Sequence, residues 1–128
     1  MKYDAQPLGW VVVEDVFDAG RIAKCESIFA QGNGYMNLRD ALEEAYVGQR
    51  RGAFVTGTFN KAMPDEVTEL PNLPDVTELR LFINGERFSM ETGRLEAYRR
   101  QLDLRTGEVE RTVCWTSPAG ARRVKPKK

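Results

Sequence analysis

Histidine is absent from this chain of 128 residues, which removes the commonest general base and every catalytic arrangement that pairs histidine with serine or cysteine. Cysteine is scarce, since Cys25 and Cys114 are the two present and they stand alone in the sequence. We predict two buried free thiols, with a disulfide as the alternative. A zinc site would need both cysteines plus carboxylates, an uncommon ligand set, so the sequence predicts no metal and no cofactor.

Net charge of either sign is also lacking, because 19 lysines and arginines balance 19 aspartates and glutamates. Such a chain has no overall field to attract a polyanion, so we expect no nucleic-acid partner. One basic cluster closes the chain at residues 122–128. We expect a solvated tail there, with a functional basic patch as the alternative.

Long hydrophobic runs are missing too. No apolar segment approaches the roughly 20 residues that span a bilayer. The N-terminal residues lack the basic-then-apolar pattern of a signal peptide. The sequence therefore predicts no membrane partner and a cytoplasmic location.

Strand patterns dominate what is present. Short strands are predicted at residues 10–14, 54–60, 77–83, 86–89, 95–104 and 108–115. Asn84-Gly85 predicts a tight hairpin, because both turn positions tolerate a positive φ. Gly57 inside its strand predicts a bulge or a close backbone approach. About eight or nine strands with tight turns are typical of an all-β, antiparallel β-sandwich in one domain.

Helical patterns are confined to one place. Asn37 or Asp40 could cap a turn or two of helix over residues 41–46, so we expect at most a short helix near 40–47. Residues 64–74 contain three prolines and predict a loop that crosses between sheets. The strand-like run at 121–124 is barely begun when the chain reaches Pro126, which could leave an edge strand unpaired.

The segment ESIFAQGNGYMNLRDALEE at residues 26–44 is the most informative one. Its Gly32-Asn33-Gly34 predicts a tight reversal with several positive φ angles. A guanidinium and three carboxylates follow within a few residues: Arg39, Asp40, Glu43 and Glu44. Such a cluster is either a charge-paired network that holds a loop, or the rim of a sugar site beside an aromatic face.

These residues resemble the N-terminal domain of glycoside hydrolase family 65, the maltose, trehalose and kojibiose phosphorylases and their hydrolase relatives. The run Glu26–Tyr35 is similar to the family signature E-S-x-F-x-x-G-N-G-Y, and Glu43-Glu44 to the acidic pair after it. Further matches follow in the family's order: Trp10 with Glu14 and Phe17, Gly57–Asn60, Glu69–Pro74, Asn84–Glu86, Leu102–Gly107, and Trp115 with Pro118–Gly120. The resemblance covers about residues 8–124, and Asn37 and Asp40 stand where the family usually carries glycine.

The resemblance implies a supersandwich of the galactose-mutarotase-like kind. Residues 1–124 would hold about its first half, with 125–128 as the basic tail. In family members the glutamate general acid and the phosphate site lie on an (α/α)6 barrel, which these residues do not contain. Inverting cleavage of an α-glucosidic bond needs groups on both sides of that bond. The nearest candidate pairs are Glu43 with Glu44 and Glu26 with Asp40. Adjacent residues on a strand point to opposite faces, so Glu43 and Glu44 make a poor acid/base pair unless they lie on a helix turn. We predict no catalytic residue in this chain.

We therefore expect a non-catalytic module that packs on the catalytic barrel or on another copy of itself. The alternative is a free-standing carbohydrate-binding module that stacks an α-glucoside sugar on Trp10, Tyr35, Tyr98 or Trp115. Alternation with Val109 and Val113 places Trp115 in the core, and Trp10 is also expected there, which leaves Tyr35 as the exposed candidate. The candidate carbohydrate or interface residues are Asn33, Tyr35, Arg39, Asp40, Glu43, Glu44 and Asn60.

Overall fold

The computed structural model describes the backbone of residues 2–3, 9–120 and 123–124, and the side chains of residues 9–120. The strands are β1 (Lys2–Tyr3), β2 (Val11–Glu14), β3 (Gln31–Gly32), β4 (Met36–Leu38), β5 (Ala53–Val55), β6 (Phe82–Ile83), β7 (Glu86–Arg87), β8 (Arg94–Asp103), β9 (Glu108–Thr116) and β10 (Arg123–Val124). A 3₁₀ turn (Ala19–Arg21) leads into α1 (Ile22–Ile28), the one α-helix among the described residues. Every strand pairing in this described part of the chain is antiparallel, so the predicted all-β, antiparallel class is confirmed.

The chain divides into two compact units, one from the two ends of the sequence (to Ala19 and from Arg80) and one from Gly20–Leu79. The first unit contains a five-stranded sheet in the order β1-β2-β8-β9-β10. Its longest pairing is the β8–β9 hairpin, which closes through a turn at residues 104–107. The short β6–β7 hairpin turns at Asn84 (φ 52°) and Gly85 (φ 83°), which confirms the Asn-Gly turn predicted from the sequence.

Trp115 on β9 is the centre of the first unit's core. Its side chain is 0% exposed, as predicted from its alternation with valines. The indole nitrogen donates a hydrogen bond to the Thr92 carbonyl oxygen at 2.6 Å, and the Phe88 ring meets the indole edge to face at 5.2 Å between centroids. Gly93 turns the chain beneath it at φ +74°, where a Cβ would collide with the indole and with the Thr116 carbonyl oxygen. Only glycine fits at that position.

A charged group is buried on the same sheet. Tyr98, Arg100 and Leu102 alternate along β8 and are all buried. Arg100 pairs in register with Glu14 on β2, and its Nη1 lies 3.8 Å from Glu14 Oε2. The Tyr98 hydroxyl donates a 2.8 Å hydrogen bond to the same carboxylate oxygen. A hydrogen bond from Tyr98 and an ion pair with Arg100 therefore compensate the burial of the Glu14 charge.

The second unit combines α1 with a three-stranded sheet in the order β3-β4-β5. Ile22, Cys25 and Phe29 recur at helical spacing and are buried, so the apolar face of α1 anchors this core. Both cysteines of the chain are buried free thiols, as expected.

The helix was predicted in the wrong place. Residues 40–47 form turns and irregular backbone, because Ala45 takes φ 61° and Gly48 takes φ 88°, values that no right-handed helix accommodates. The observed helix at Ile22–Ile28 carries its own signal, the apolar spacing 22, 25 and 29.

Three predicted strands are much shorter than expected, and one aromatic residue is misplaced. The strand predicted at 54–60 ends at Val55, and Gly57 lies in a turn at φ 83° with open space around it. The strands predicted at 77–83 and 86–89 reduce to Phe82–Ile83 and Glu86–Arg87. Trp10, expected in the core, is 49% exposed, and the Arg105 guanidinium lies over its ring at 5.5 Å.

At the end of the chain, β10 pairs with Trp115 and Thr116 of β9, while residues 121–122 and the predicted tail 125–128 lie outside the described residues. Among the described residues, no helix has the length and apolar character needed to cross a membrane.

Removing the Tyr98 hydroxyl tests the buried Glu14 group. Burial raises the pKa of Tyr98 above its ordinary value, and the Glu14 carboxylate raises that pKa further. The folded state thus holds the phenol proton more tightly than the unfolded chain, whose tyrosines titrate near about 10. The contribution of this proton to stability is present below about pH 10 and is lost as the pH rises further.

We expect Tyr98→Phe to lower the free energy of unfolding by about 1.5–3 kcal/mol at pH 7, because it removes a hydrogen bond to a buried charge. It should also remove part of the decline in stability above about pH 10. Urea unfolding at pH 7 and across the alkaline range measures both effects. The exposed Tyr35→Phe is the matched control and should be near neutral. A Tyr98→Phe curve that matches the unsubstituted chain at every pH would contradict this account.

Candidate functional site

Glu26 in α1 organises the segment that the sequence singled out. Its side chain is only 1% exposed. The Arg50 backbone N–H donates to both carboxylate oxygens, at 3.2 and 3.0 Å, and Arg39 Nη2 lies 3.5 Å from Oε2. The Glu26 carbonyl also accepts a hydrogen bond from the Asp40 N–H at 3.3 Å. One helical residue therefore holds the backbone both at residue 40 and at residue 50.

Arg39 is committed to the fold. Besides its contact with Glu26, Nη2 donates to the Ala23 carbonyl oxygen at 3.0 Å, and the Arg39 N–H donates to the Gly52 carbonyl at 2.8 Å. Its side-chain stem lies so close to Gly52 that a Cβ there would be 2.9 Å from Arg39 Cδ. Arg39 Nε is buried with no hydrogen-bond partner among the described residues. The fold therefore engages the Nη2 end of this guanidinium, while Nε stays without a partner in the described part of the chain.

The acidic candidates Glu43 and Glu44 lie in the second unit and have little solvent exposure. Glu44 is buried, and Glu43 is half-buried, with its carbonyl accepting from the Leu79 N–H at 2.9 Å and from Arg51 Nη2 at 3.3 Å. Arg51 further donates to the Leu42 carbonyl at 2.6 Å and forms an ion pair with Asp75. These bonds shape residues 42–51 into a closed loop. Two ion pairs of this region join Arg39 to Glu26 and Arg51 to Asp75. The charge-paired network and the sugar rim both stay predictions for the cluster of Arg39, Asp40, Glu43 and Glu44.

Asn33 and Tyr35 lie at the tip of the β3–β4 hairpin. The Asn33 side-chain oxygen accepts from the N–H groups of Tyr35 at 3.0 Å and Met36 at 2.8 Å, so this side chain closes the turn. Only Gly34 in the Gly-Asn-Gly run takes a positive φ, at 82°, where several were predicted. The Tyr35 ring projects into solvent and is 64% exposed.

Asn37 and Asp40, which stand where the family usually carries glycine, both keep a negative φ, since the positive-φ residues of the described chain lie elsewhere. Neither position therefore needs glycine for its backbone angle in this chain.

An open cleft of about 210 Å³ lies beside the hairpin tip. Its larger lining side chains are Tyr35, Met36, Phe54, Val55 and Leu70, joined by Asn37, Thr56 and the backbone of Gly32 and Gly34. Thr56 ties this wall to the tip, because its N–H donates to the Tyr35 carbonyl at 2.8 Å. No lining residue carries a charge. The cleft is thus an uncharged depression lined by apolar side chains and by hydrogen-bonding groups.

The predicted site residues do not converge on one place. Tyr35 lines the cleft, and Asn33 supports the turn that presents it. Arg39 pairs with Glu26, and backbone groups of Asp40 and Glu43 accept or donate hydrogen bonds. Glu44 is buried, and Asn60 pairs with Glu69 in an isolated bridge. Sequence reasoning did not pick out Phe54 and Leu70 as lining residues, because their partners across the cleft are distant in the sequence.

A buried carboxylate held this way should be costly to alter. Glu26→Gln keeps the shape of the side chain but points an amide donor at either the Arg50 N–H or the Arg39 guanidinium. We expect a loss of about 2–3 kcal/mol in the free energy of unfolding, measured by urea denaturation. Glu66→Gln, at an exposed position of the same unit, is the control and should change stability by no more than about 0.5 kcal/mol. Equal stabilities for the two variants would show that the Glu26 charge is not needed.

Comparison with known proteins agrees with this architecture. The sequence profile of "Glycosyl hydrolase family 65, N-terminal domain" matches residues 12–126. Kojibiose phosphorylase from Halothermothrix orenii is 43% identical over 111 residues, and kojibiose phosphorylase from Escherichia coli is 42% identical over 108 residues. The alignments cover 87% and 84% of this chain but 14% of either relative. The chain thus spans about one seventh of the length of these curated relatives.

The fold has a counterpart among solved structures. The structure of "Putative kojibiose phosphorylase from human microbiome" superposes with a TM-score of 0.79 over 91% of this chain and 17% of that one. Its sequence identity of 24% makes it evidence for the fold alone. Since the family profile covers nearly the whole sequence, the chain belongs to glycosyl hydrolase family 65 and represents the N-terminal domain of that family.

Proposed function

We propose that this chain is a non-catalytic β-sandwich module that packs on the catalytic (α/α)6 barrel of a family 65-type phosphorylase or hydrolase, in the metabolism of α-glucosidic disaccharides. The observation that carries the proposal is the use of the polar candidates by the fold itself. Arg39 is held by Glu26 and Ala23, Glu44 is buried, and Asn33 closes its own turn. The cleft has no charged lining residue, and its larger exposed side chains, Tyr35, Met36 and Leu70, are apolar or aromatic.

The chemistry of the family favours a structural, non-catalytic role for these residues. Inverting cleavage needs a carboxylic acid at the leaving oxygen and a nucleophile on the opposite face, with the two groups well separated. No carboxylate lines the cleft, and the buried Glu26 carboxylate accepts hydrogen bonds from the protein backbone. The residues that perform catalysis would therefore come from the remaining length of a family 65 enzyme. The cytoplasmic location and self-association expected from the sequence stay predictions.

A full-length chimera tests the packing function. This chain would replace the segment that it matches in the kojibiose phosphorylase of Halothermothrix orenii, to which it is 43% identical there. We expect a soluble enzyme that phosphorolyses kojibiose, because a module of the same fold should cover the same surfaces of the catalytic domain. Phosphate-dependent release of glucose 1-phosphate measures this.

The control for the chimera is the same host enzyme without the segment, which should be insoluble or inactive. An insoluble or inactive chimera would contradict the proposed function. So would a segment-free host enzyme with full activity, because the module would then be dispensable for the catalytic domain.

A second function, carbohydrate binding, is favoured by one observation, the exposed Tyr35 ring beside the cleft. A sugar would stack its C–H face on this ring, with Asn37 and Thr56 as hydrogen-bonding groups. The other proposed platforms are less suitable, since Tyr98 and Trp115 are buried and Trp10 is covered by Arg105.

Calorimetry of the isolated chain decides between the two functions. We expect no heat from kojibiose, trehalose, maltose or glucose 1-phosphate at millimolar concentrations, because the cleft lacks the charged planar groups that sugar sites use. Heat that disappears in Tyr35→Ala and persists in the exposed control Val47→Ala would instead establish a carbohydrate-binding module.

A further inference from the structure

Four apolar side chains around the cleft are exposed, and we call this surface the Tyr35 face. It consists of Tyr35, Met36, Phe59 and Leu70, which are 64%, 43%, 68% and 48% exposed. Tyr35, Met36 and Leu70 line the cleft, while Phe59 and Leu70 flank the Asn60–Glu69 bridge on adjoining backbone. Single exposed apolar residues are normal on a protein surface, but several around one depression mark an interaction site.

A loop extends from this face. Asn60 and Glu69 exchange two backbone hydrogen bonds, at 2.9 and 2.8 Å, and so close the loop at its base. All residues from 61 to 70 are exposed, including the apolar Met63 and Val67. A loop with a fixed base and exposed apolar side chains is suited to lie against a partner, since its ends need no reordering when it binds.

The composition of the cleft restricts what can occupy it. No charged residue lines it, so it offers no charged partner to a phosphate, a carboxylate or a metal ion. Its volume of about 210 Å³ is large enough for one sizeable side chain, and its walls are the aromatic and aliphatic groups of Tyr35, Phe54 and Leu70. An apolar side chain of another polypeptide fits this chemistry best.

The lengths of the relatives indicate which polypeptide this is. The chain corresponds to about 14% of each kojibiose phosphorylase that it matches, so in those proteins the matched segment is part of a chain roughly seven times longer. A domain joined to so large a remainder has that remainder at a high effective concentration. An exposed apolar face on the domain is then most readily covered by it.

We propose that the Tyr35 face, together with loop 60–69, is the surface by which this module docks on the remainder of a family 65 chain, and that an aliphatic or aromatic side chain of that remainder enters the cleft. This inference rests on the proposed packing function and adds to it the surface and the chemistry of the contact. Tyr35 and Leu70 are the residues that the docking depends on most.

Limited trypsin digestion tests the proposal through Lys61, which is exposed in loop 60–69. In the isolated chain the Lys61–Ala62 bond should be cut readily. In the full-length chimera with the Halothermothrix orenii enzyme, docking should slow cleavage at that bond by about tenfold or more. The rate is read from the peptide ending at Lys61 by mass spectrometry.

The double variant Tyr35→Ser, Leu70→Ser should restore fast cleavage at Lys61 in the chimera. Both side chains are already exposed in the isolated chain, so its thermal unfolding should be unchanged by the same two substitutions. Val47→Ser is the matched control, because Val47 is an exposed apolar residue outside the Tyr35 face. That variant should keep the protection.

The outcomes separate this inference from the proposed function. An active chimera in which Lys61 is cut as fast as in the isolated chain would overturn the docking surface and leave the packing function in place. An inactive or insoluble chimera would overturn both. Protection of Lys61 in the isolated chain that grows with its concentration would show that a second copy covers the face, which also contradicts the proposed occupant.

Discussion

The buried carboxylate of Glu26 is the interaction on which the second unit depends. A carboxylate with 1% exposure is tolerated only where donors surround it, and here they come from Arg39 and the Arg50 backbone. Those donors come from two separate positions of the chain after the hairpin. Satisfying one charge therefore fixes the path of the chain from β4 through the 42–51 loop, while the hairpin tip stays free to project Tyr35 into solvent.

This arrangement separates the polar residues of the signature stretch from its exposed surface. Of the charged groups that resemble a sugar-binding rim in sequence, Arg39 bonds to Glu26 and Ala23 and Glu44 is buried, while no charged residue lines the cleft. A catalytic or sugar-binding site would require the reverse, polar groups held open toward a ligand. The geometry therefore favours a packing module, and membership in family 65 supplies the larger protein on which such a module would pack.

Local patterns predicted the structure well where pairing is local. The β8–β9 hairpin, the Asn84-Gly85 turn and the buried Trp115 follow from alternation and turn chemistry within a few residues. The helix was misplaced because residues 41–46 resemble a helix in composition, while contacts from Gln49 and Arg51 hold them in a non-helical loop. Propensity is a weak prior that such tertiary contacts override.

The sequence by itself determined the antiparallel all-β class, the principal hairpin, the core position of Trp115 and the family, because each depends on short-range pattern or on residue order. Only the tertiary structure decided which members of the signature stretch are structural. Glu26 and Arg50 are 24 positions apart, and Leu70 reaches the cleft from a separate segment. Such distant neighbours decide whether a guanidinium pairs with a buried carboxylate. They also decide whether an aromatic ring faces water, and no local pattern encodes them.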